Sequence, residues 1–176
     1  MSLFEQVVSV LEHSQIGHCL IGAAAMAAHG VPRSTLDLDL LTIDRRTLEE
    51  SLWVPLREAG TRVQVRRGDS EDPLAGAVRF CAADERTVDL IVGRFSWQGS
   101  IVERALPLSI LGIQIAVAEP ADVVLLKLYA GGSQDRWDIQ QLLAAQLSEE
   151  VTECVEERLA RLPSECADLW RELQGR

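Results

Sequence analysis

The stretch from residue 35 to 42, Thr-Leu-Asp-Leu-Asp-Leu-Leu-Thr, constrains this chain more than any other. Leu36, Leu38 and Leu40 alternate with Asp37 and Asp39. Period two is the signature of a strand with one buried face. Side chains alternate across a strand, so Asp37 and Asp39 leave it on the same side. Two adjacent carboxylates repel unless positive charge stands between them. All-oxygen ligands favour Mg2+ or Mn2+ over zinc. An edge strand with a solvated face is the alternative, but Asp suits strands poorly.

The rest of the chain supplies a frame for that strand. Ser2 and Glu5 form a capping-box pattern, and Leu3, Phe4, Val7, Val8 and Leu11 follow helical spacing. Residues 18–21 read as a short strand ending at Gly22, and 23–29 as a helix closed by Gly30. A helix is expected over 46–59, interrupted near its end by Pro55. Strands are expected over 62–66, 77–82 and 87–92. A hairpin around Gly112 joins 106–110 to 114–117. Pro120 opens a helix that Gly131-Gly132 breaks. Ser133 caps the next, which carries Trp137, Ile139, Leu142 and Leu143. Two more amphipathic helices follow, the second started by Pro163. The expected fold class is α/β (α+β): a mixed β-sheet core over about 1–118, with a short helical part over 119–176 packed on it as one domain.

Composition narrows the class. Of 176 residues, 47% are hydrophobic, enough for a real core. No apolar run approaches the ~18 residues of a membrane span. The first residues lack the basic and apolar blocks of a signal peptide, so a soluble cytoplasmic protein is expected. Cys19, Cys81, Cys154 and Cys166 show no C-x-x-C spacing and no zinc pattern, and buried thiols are expected. The net charge of −10 argues against non-specific DNA binding. Sixteen of the 17 basic residues are Arg, and Lys127 is the single Lys. Arg62 and Arg66 share a strand face and, with Arg67, could form a local basic strip or a solvated sheet face.

Two further pieces bear on Asp37 and Asp39. Asp89 interrupts the apolar run Thr87-Val88-Asp89-Leu90-Ile91-Val92 and could complete a three-carboxylate set. Such a set can hold two metal ions about 4 Å apart for phosphoryl or nucleotidyl transfer. Gly22-Ala23 ends a strand and opens a helix, where glycine permits close approach of a phosphate to backbone N–H groups.

Ile21-Gly22-Ala23 followed by Asp37-Leu38-Asp39 resembles the signature of polymerase-β-like nucleotidyltransferases. The run from Ala28 through Pro32-Arg33-Ser34-Thr35 to Asp39 looks closest to the minimal bacterial and archaeal members related to AbiEii toxins and MNT-type proteins. A downstream Lys-bearing helix and Asp-containing helix start, Pro120 to Ile139, add to the likeness, which spans roughly 18–143.

The resemblance implies roles by position. Asp37 and Asp39 would bind the metals that bridge a nucleoside triphosphate. Asp89 would complete the metal site and help deprotonate the attacking hydroxyl. Gly22 and Ala23 would hold phosphates through backbone N–H groups. Lys127 would neutralise triphosphate or pyrophosphate charge, and Arg33 would do the same or fix its loop. Asp135 and Asp138 would orient Lys127 or close the site. By its own position before Gly30 at a helix end, His29 is expected to support that turn by bonding the last helical carbonyls rather than to catalyse. The implied acceptors are tRNA ends or protein side chains, in a toxin–antitoxin setting with a cognate partner protein.

Two departures stand against that pattern. Ala23 replaces the second Gly or Ser of the motif, and Gly132 stands where the subgroup often has Arg. They motivate a second reading, a non-catalytic nucleotide- or partner-binding antitoxin or regulator. A metal-dependent phosphohydrolase would use the same carboxylates, but the only histidines are His13, His18 and His29, all near the N-terminus.

Overall fold

The computed structural model describes residues 1–31, 37–146 and 149–175. Helix α1 (Leu3–His13) begins on the capping box, with Ser2 Oγ accepting from the Glu5 N–H and Glu5 accepting from the Ser2 N–H at 2.6 Å. It buries Leu3, Phe4, Val7, Val8 and Leu11. Strand β1 (Cys19–Ile21) leads directly into α2 (Gly22–Ala28), and β2 (Asp37–Thr42) follows.

The next segment departs from expectation. Two 3-10 turns, Arg45–Leu48 and Glu50–Trp53, precede a five-residue helix α3 (Val54–Glu58). Pro55 sits in the first turn of α3, where its missing N–H costs nothing. Trp53 anchors the segment: its Nε1–H donates to the Thr47 carbonyl at 2.7 Å, and its ring meets Phe80 edge-on at 4.7 Å. Burial of one large ring set this local geometry against helix propensity.

Strands β3 (Arg62–Arg67), β4 (Gly76–Cys81) and β5 (Thr87–Val92) form an antiparallel meander. Then come α4 (Ser96–Arg104), β6 (Leu106–Ile110) and β7 (Ile113–Val117). Helix α4 was not foreseen. Strands β6 and β7 make the expected hairpin, whose turn residues Leu111 and Gly112 both have positive φ. The chain ends with α5 (Pro120–Ala130), α6 (Ser133–Gln146), α7 (Glu149–Leu159) and α8 (Ser164–Leu173). Ser133 is the first helical residue of α6 rather than its cap, and Asp135 reaches back to accept from the Gly132 N–H at 3.2 Å.

Seven strands make one mixed sheet in the order β3-β4-β5-β2-β1-β7-β6. Strand β2 runs parallel to β5 and antiparallel to β1. On one face Leu38, Leu40, Val78, Phe80, Val88, Leu90 and Val92 are buried, and α1 and α4 pack against it. The continuous apolar core extends from Leu3 in α1 to Trp170 in α8, so the C-terminal helices join it. Helix α5 packs against α2, α6, α7 and α8. Among the described residues, no helix is long and apolar enough to cross a membrane.

All four cysteines are free thiols. Cys19 and Cys166 are buried as expected, whereas Cys81 and Cys154 are only half-buried, because each lies on a partly exposed side of its element.

Candidate active site

The sheet face opposite the core carries the polar side chains. Strand alternation puts Asp37 and Asp39 of β2 on it, and Thr87 and Asp89 of β5 beside them. Asp39 and Asp89 are register partners on adjacent parallel strands, and Asp37 is paired with Thr87. The strand periodicity that buries Leu38, Leu40, Val88 and Leu90 thereby fixes three acids on one side.

Gly22 closes the site from β1. Ile21 is the register partner of Asp39, so the first residue of α2 lies over that carboxylate. Gly22 has φ +65°, and a Cβ there would run into Asp39 Oδ2. Glycine is required twice at this point, by backbone conformation and by space. Ala23, next in α2, is buried.

Arg79 is the residue that single-strand periodicity missed. It is the register partner of Asp89 on β4 and grips its carboxylate with both arms, Nε to Oδ1 at 2.8 Å and NH2 to Oδ2 at 2.7 Å. The Asp89 hydrogen bonds and charge, with a smaller contribution from Asp37, push the Arg79 pKa up. Asp89 is 14% exposed and Arg79 54% exposed, so the clamp is open to solvent on the arginine side. Only the register between β4 and β5 could have revealed it.

The donors fit a hard divalent cation, since carboxylate oxygen is the ligand type that Mg2+ and Mn2+ prefer. Their arrangement adds a condition. Among the described residues, no group of three or more acidic, His or Cys side chains is set to hold an ion. The three acids share the face, but Asp89 is engaged by Arg79. Asp89 must exchange that partner before it can serve a cation with Asp37 and Asp39.

A second cluster joins α5 to α6. Lys127 is 7% exposed, and its Nζ donates to Asp138 at 2.5 Å and to Asp135 at 3.2 Å. Asp138 is fully buried. Spacing of three on one helix turn brings both acids to the same lysine. The two acids therefore orient Lys127. Gly131, in the left-handed conformation, ends α5 and lets the chain turn back for this contact. The His29 imidazole Nε2 bonds the Ala118 carbonyl at 2.7 Å, and the carbonyls of its own helix are met by the His29 backbone N–H instead. It ties the end of α2 to the segment that leads into α5. Arg33 lies outside the described residues.

A buried ion network completes this half of the molecule. Asp122 of α5 is fully buried and accepts from Arg104 of α4 at 2.8 Å, and Arg158 of α7 lies 3.0 Å from it. Arg158 also reaches Glu119 at 2.8 Å. These partners are far apart in sequence and left no local signal.

No protein-family model matches the sequence, and no curated protein matches it. Solved structures do. ANT(2")-Ia in complex with adenylyl-2"-tobramycin is similar at TM-score 0.55 and 13% identity, covering 90% of this chain and 96% of that one. The lincosamide antibiotic adenylyltransferase LnuA, lincomycin-bound, is similar at TM-score 0.50 and 10% identity, covering 81% and 96%. An antigenic nucleotidyltransferase-like protein from Paracoccidioides brasiliensis is similar at TM-score 0.51 and 18% identity, covering 96% and 88%. At these identities the likeness is one of fold. A seven-stranded mixed sheet flanked by helices, with paired acids beside a glycine turn, gives this chain the nucleotidyltransferase fold.

Proposed function

We propose that this protein is a metal-dependent nucleotidyltransferase that moves a nucleoside monophosphate from a nucleoside triphosphate to a hydroxyl. The observation that carries the reading is the Asp39–Asp89 register pair, with Asp37 on the same face and Gly22 against Asp39. Asp37 and Asp39 would hold Mg2+ or Mn2+, which when bound supplies charge neutralisation at the triphosphate. Asp89, once released by Arg79, would join them and take the proton of the acceptor hydroxyl. The acceptor oxygen forms a bond to the α-phosphorus, the bond from that phosphorus to the bridging oxygen breaks, and pyrophosphate leaves. Backbone N–H groups of Gly22 and Ala23 would face the phosphates. Lys127, held by Asp138 and Asp135, would balance charge on the triphosphate, with Arg33 as a second cation.

The acceptors implied by the AbiEii/MNT resemblance are a tRNA end or a protein hydroxyl in a toxin–antitoxin pair. Arg62, Arg66 and Arg79 on the open face beside Asp89 disfavour a cationic acceptor.

The test is incubation with Mg2+ and each α-32P-labelled nucleoside triphosphate, with tRNA and cell lysate as acceptors. Label transferred by the wild type and not by Asp39→Ala supports the reading. Nucleotide binding without transfer to any acceptor would favour the second reading, a non-catalytic nucleotide-binding regulator. The Arg79 clamp on Asp89 is what favours that alternative.

A further inference from the structure

We propose that the open sheet face beside Asp89 is an anion site that receives a small phosphorylated acceptor, and that its phosphate takes Arg79 from Asp89. The face holds a depression of about 180 Å³ lined by Gln64, Arg66, Ala77, Arg79, Asp89 and Ile91. Its place follows from register: Gln64 pairs with Arg79, Arg79 with Asp89, and Asp89 with Asp39 across four strands. A molecule seated there lies directly beside the acids.

The chemistry of the lining selects the ligand. Among the described residues, two guanidinium groups and one carboxamide line the depression, and Asp89 is its single acid. A guanidinium fork matches phosphate oxygens as well as it matches a carboxylate. A dianionic phosphate between Arg66 and Arg79 therefore competes with Asp89 for Arg79. Exposure of the Arg79 side chain lets it swing between the two without unfolding the strand. Exchange would free Asp89 only when the acceptor is present.

The same surroundings disfavour a long polyanion. The whole chain carries a net charge of −10. The loop after β3 places Asp69, Glu71 and Asp72 at the Arg66 end of the strip. Asp72 lines the adjoining hollow together with Arg66 and Arg67. A short phosphate ester fits between Arg66 and Arg79, whereas an RNA backbone would continue into acidic surface.

The acceptor role rests on the nucleotidyltransferase reading, but the affinity of the face for phosphate does not. The test follows the arginine Nε–Hε resonances of the full chain by NMR, without metal or nucleotide. The probes are ribose, ribose 5-phosphate and a short single-stranded RNA, and Arg66→Gln and Arg79→Gln supply assignments. Saturable shifts of both resonances with ribose 5-phosphate but not ribose are expected, with binding about tenfold weaker in each variant. No shift, or equal response to ribose, would overturn the proposal. RNA binding tighter than ribose 5-phosphate, with Arg62 also perturbed, would overturn it in favour of a nucleic-acid end. Pyrophosphate release is scored separately with Asp39→Ala as control: phosphate binding without release keeps the site and removes the enzyme reading, and release without phosphate binding does the reverse.

Discussion

Gly22 and Asp39 occupy one space: the hydrogen that glycine carries in place of a side chain faces the Asp39 carboxylate, and a methyl there would overlap Oδ2. Gly22→Ala would also force a left-handed backbone on alanine. The expected cost is about 1–3 kcal/mol of stability. Asp39 must shift in response, so Mn2+ affinity should fall as well. Urea unfolding and Mn2+ titration followed by electron paramagnetic resonance read the two effects.

On the proposed reading, Asp89 serves chemistry more than stability. Its partner Arg79 is half-exposed, and such pairs contribute about 1 kcal/mol or less. Asp89→Asn should therefore unfold near the wild-type urea midpoint. Turnover should drop by about 10²–10⁴, the usual loss when a general base is removed. Chelation of divalent metal with EDTA should abolish turnover in the wild type, and added Mg2+ should restore it. A variant as active as the wild type would remove Asp89 from the mechanism.

The Lys127 cluster carries a structural contact and a proposed chemical role, which can be separated. Asp138 is fully buried against Lys127, whereas Asp135 is about a quarter exposed. Asp138→Ala leaves the buried Lys127 with Asp135 at 3.2 Å and should cost about 1–3 kcal/mol, above the effect of Asp135→Ala. The double variant Lys127→Met with Asp138→Leu removes both charges and should recover most of that stability. It should still fail to release pyrophosphate. Thermal unfolding beside a turnover assay decides the matter, and full activity in the double variant would make Lys127 purely structural.

Cys19 links stability to alkaline pH. Burial, and then the Asp122 carboxylate, push its thiol up to about 12 from a usual 9.0. Between those values the unfolded chain loses the proton and the folded chain keeps it. Fewer protons on the unfolded state mean that stability falls as pH rises. The contribution is complete below pH 9 and is lost progressively above it. At about pH 10.5 the wild type should have lost about 2 kcal/mol more than Cys19→Ala, each measured against its own value at neutral pH. Parallel urea midpoints for the two proteins across that range would show that the thiol is not protected.

Much of the geometry of the candidate site was legible in the chain because strand alternation is a local signal. Asp37, Asp39 and Asp89 each interrupt apolar runs, and one face of a strand follows from period two. Gly22 was visible as a strand–helix junction, though the reason for glycine, the Asp39 carboxylate, came only from the β1–β2 register. Arg79 was illegible for the same cause: a cross-strand partner is set by register, which no single strand contains. Asp122, Arg104 and Arg158 meet across three helices, so their network has no period at all. Helix α4 was missed because Ser96, Gly99 and Ser100 dilute its apolar face. The segment over 46–59 was read as one helix because Trp53 and its contact with Phe80 are tertiary facts.

The narrowest seam of the sheet lies at β1. Strand β2 meets β5 over six register pairs, while β1 meets β7 at one, Leu20 with Val117, extended by the Ala118 N–H to the Leu20 carbonyl at 3.0 Å. The molecule thus has a built-in line of parting: the acids and the arginine strip stand on one bank, and the β6–β7 hairpin on the other. Side-chain burial under α5 and the His29 bond to Ala118 act as the rivets across it. Lateral breathing of the sheet would begin at Leu20, and amide exchange there should outpace exchange at Leu40 and Leu90.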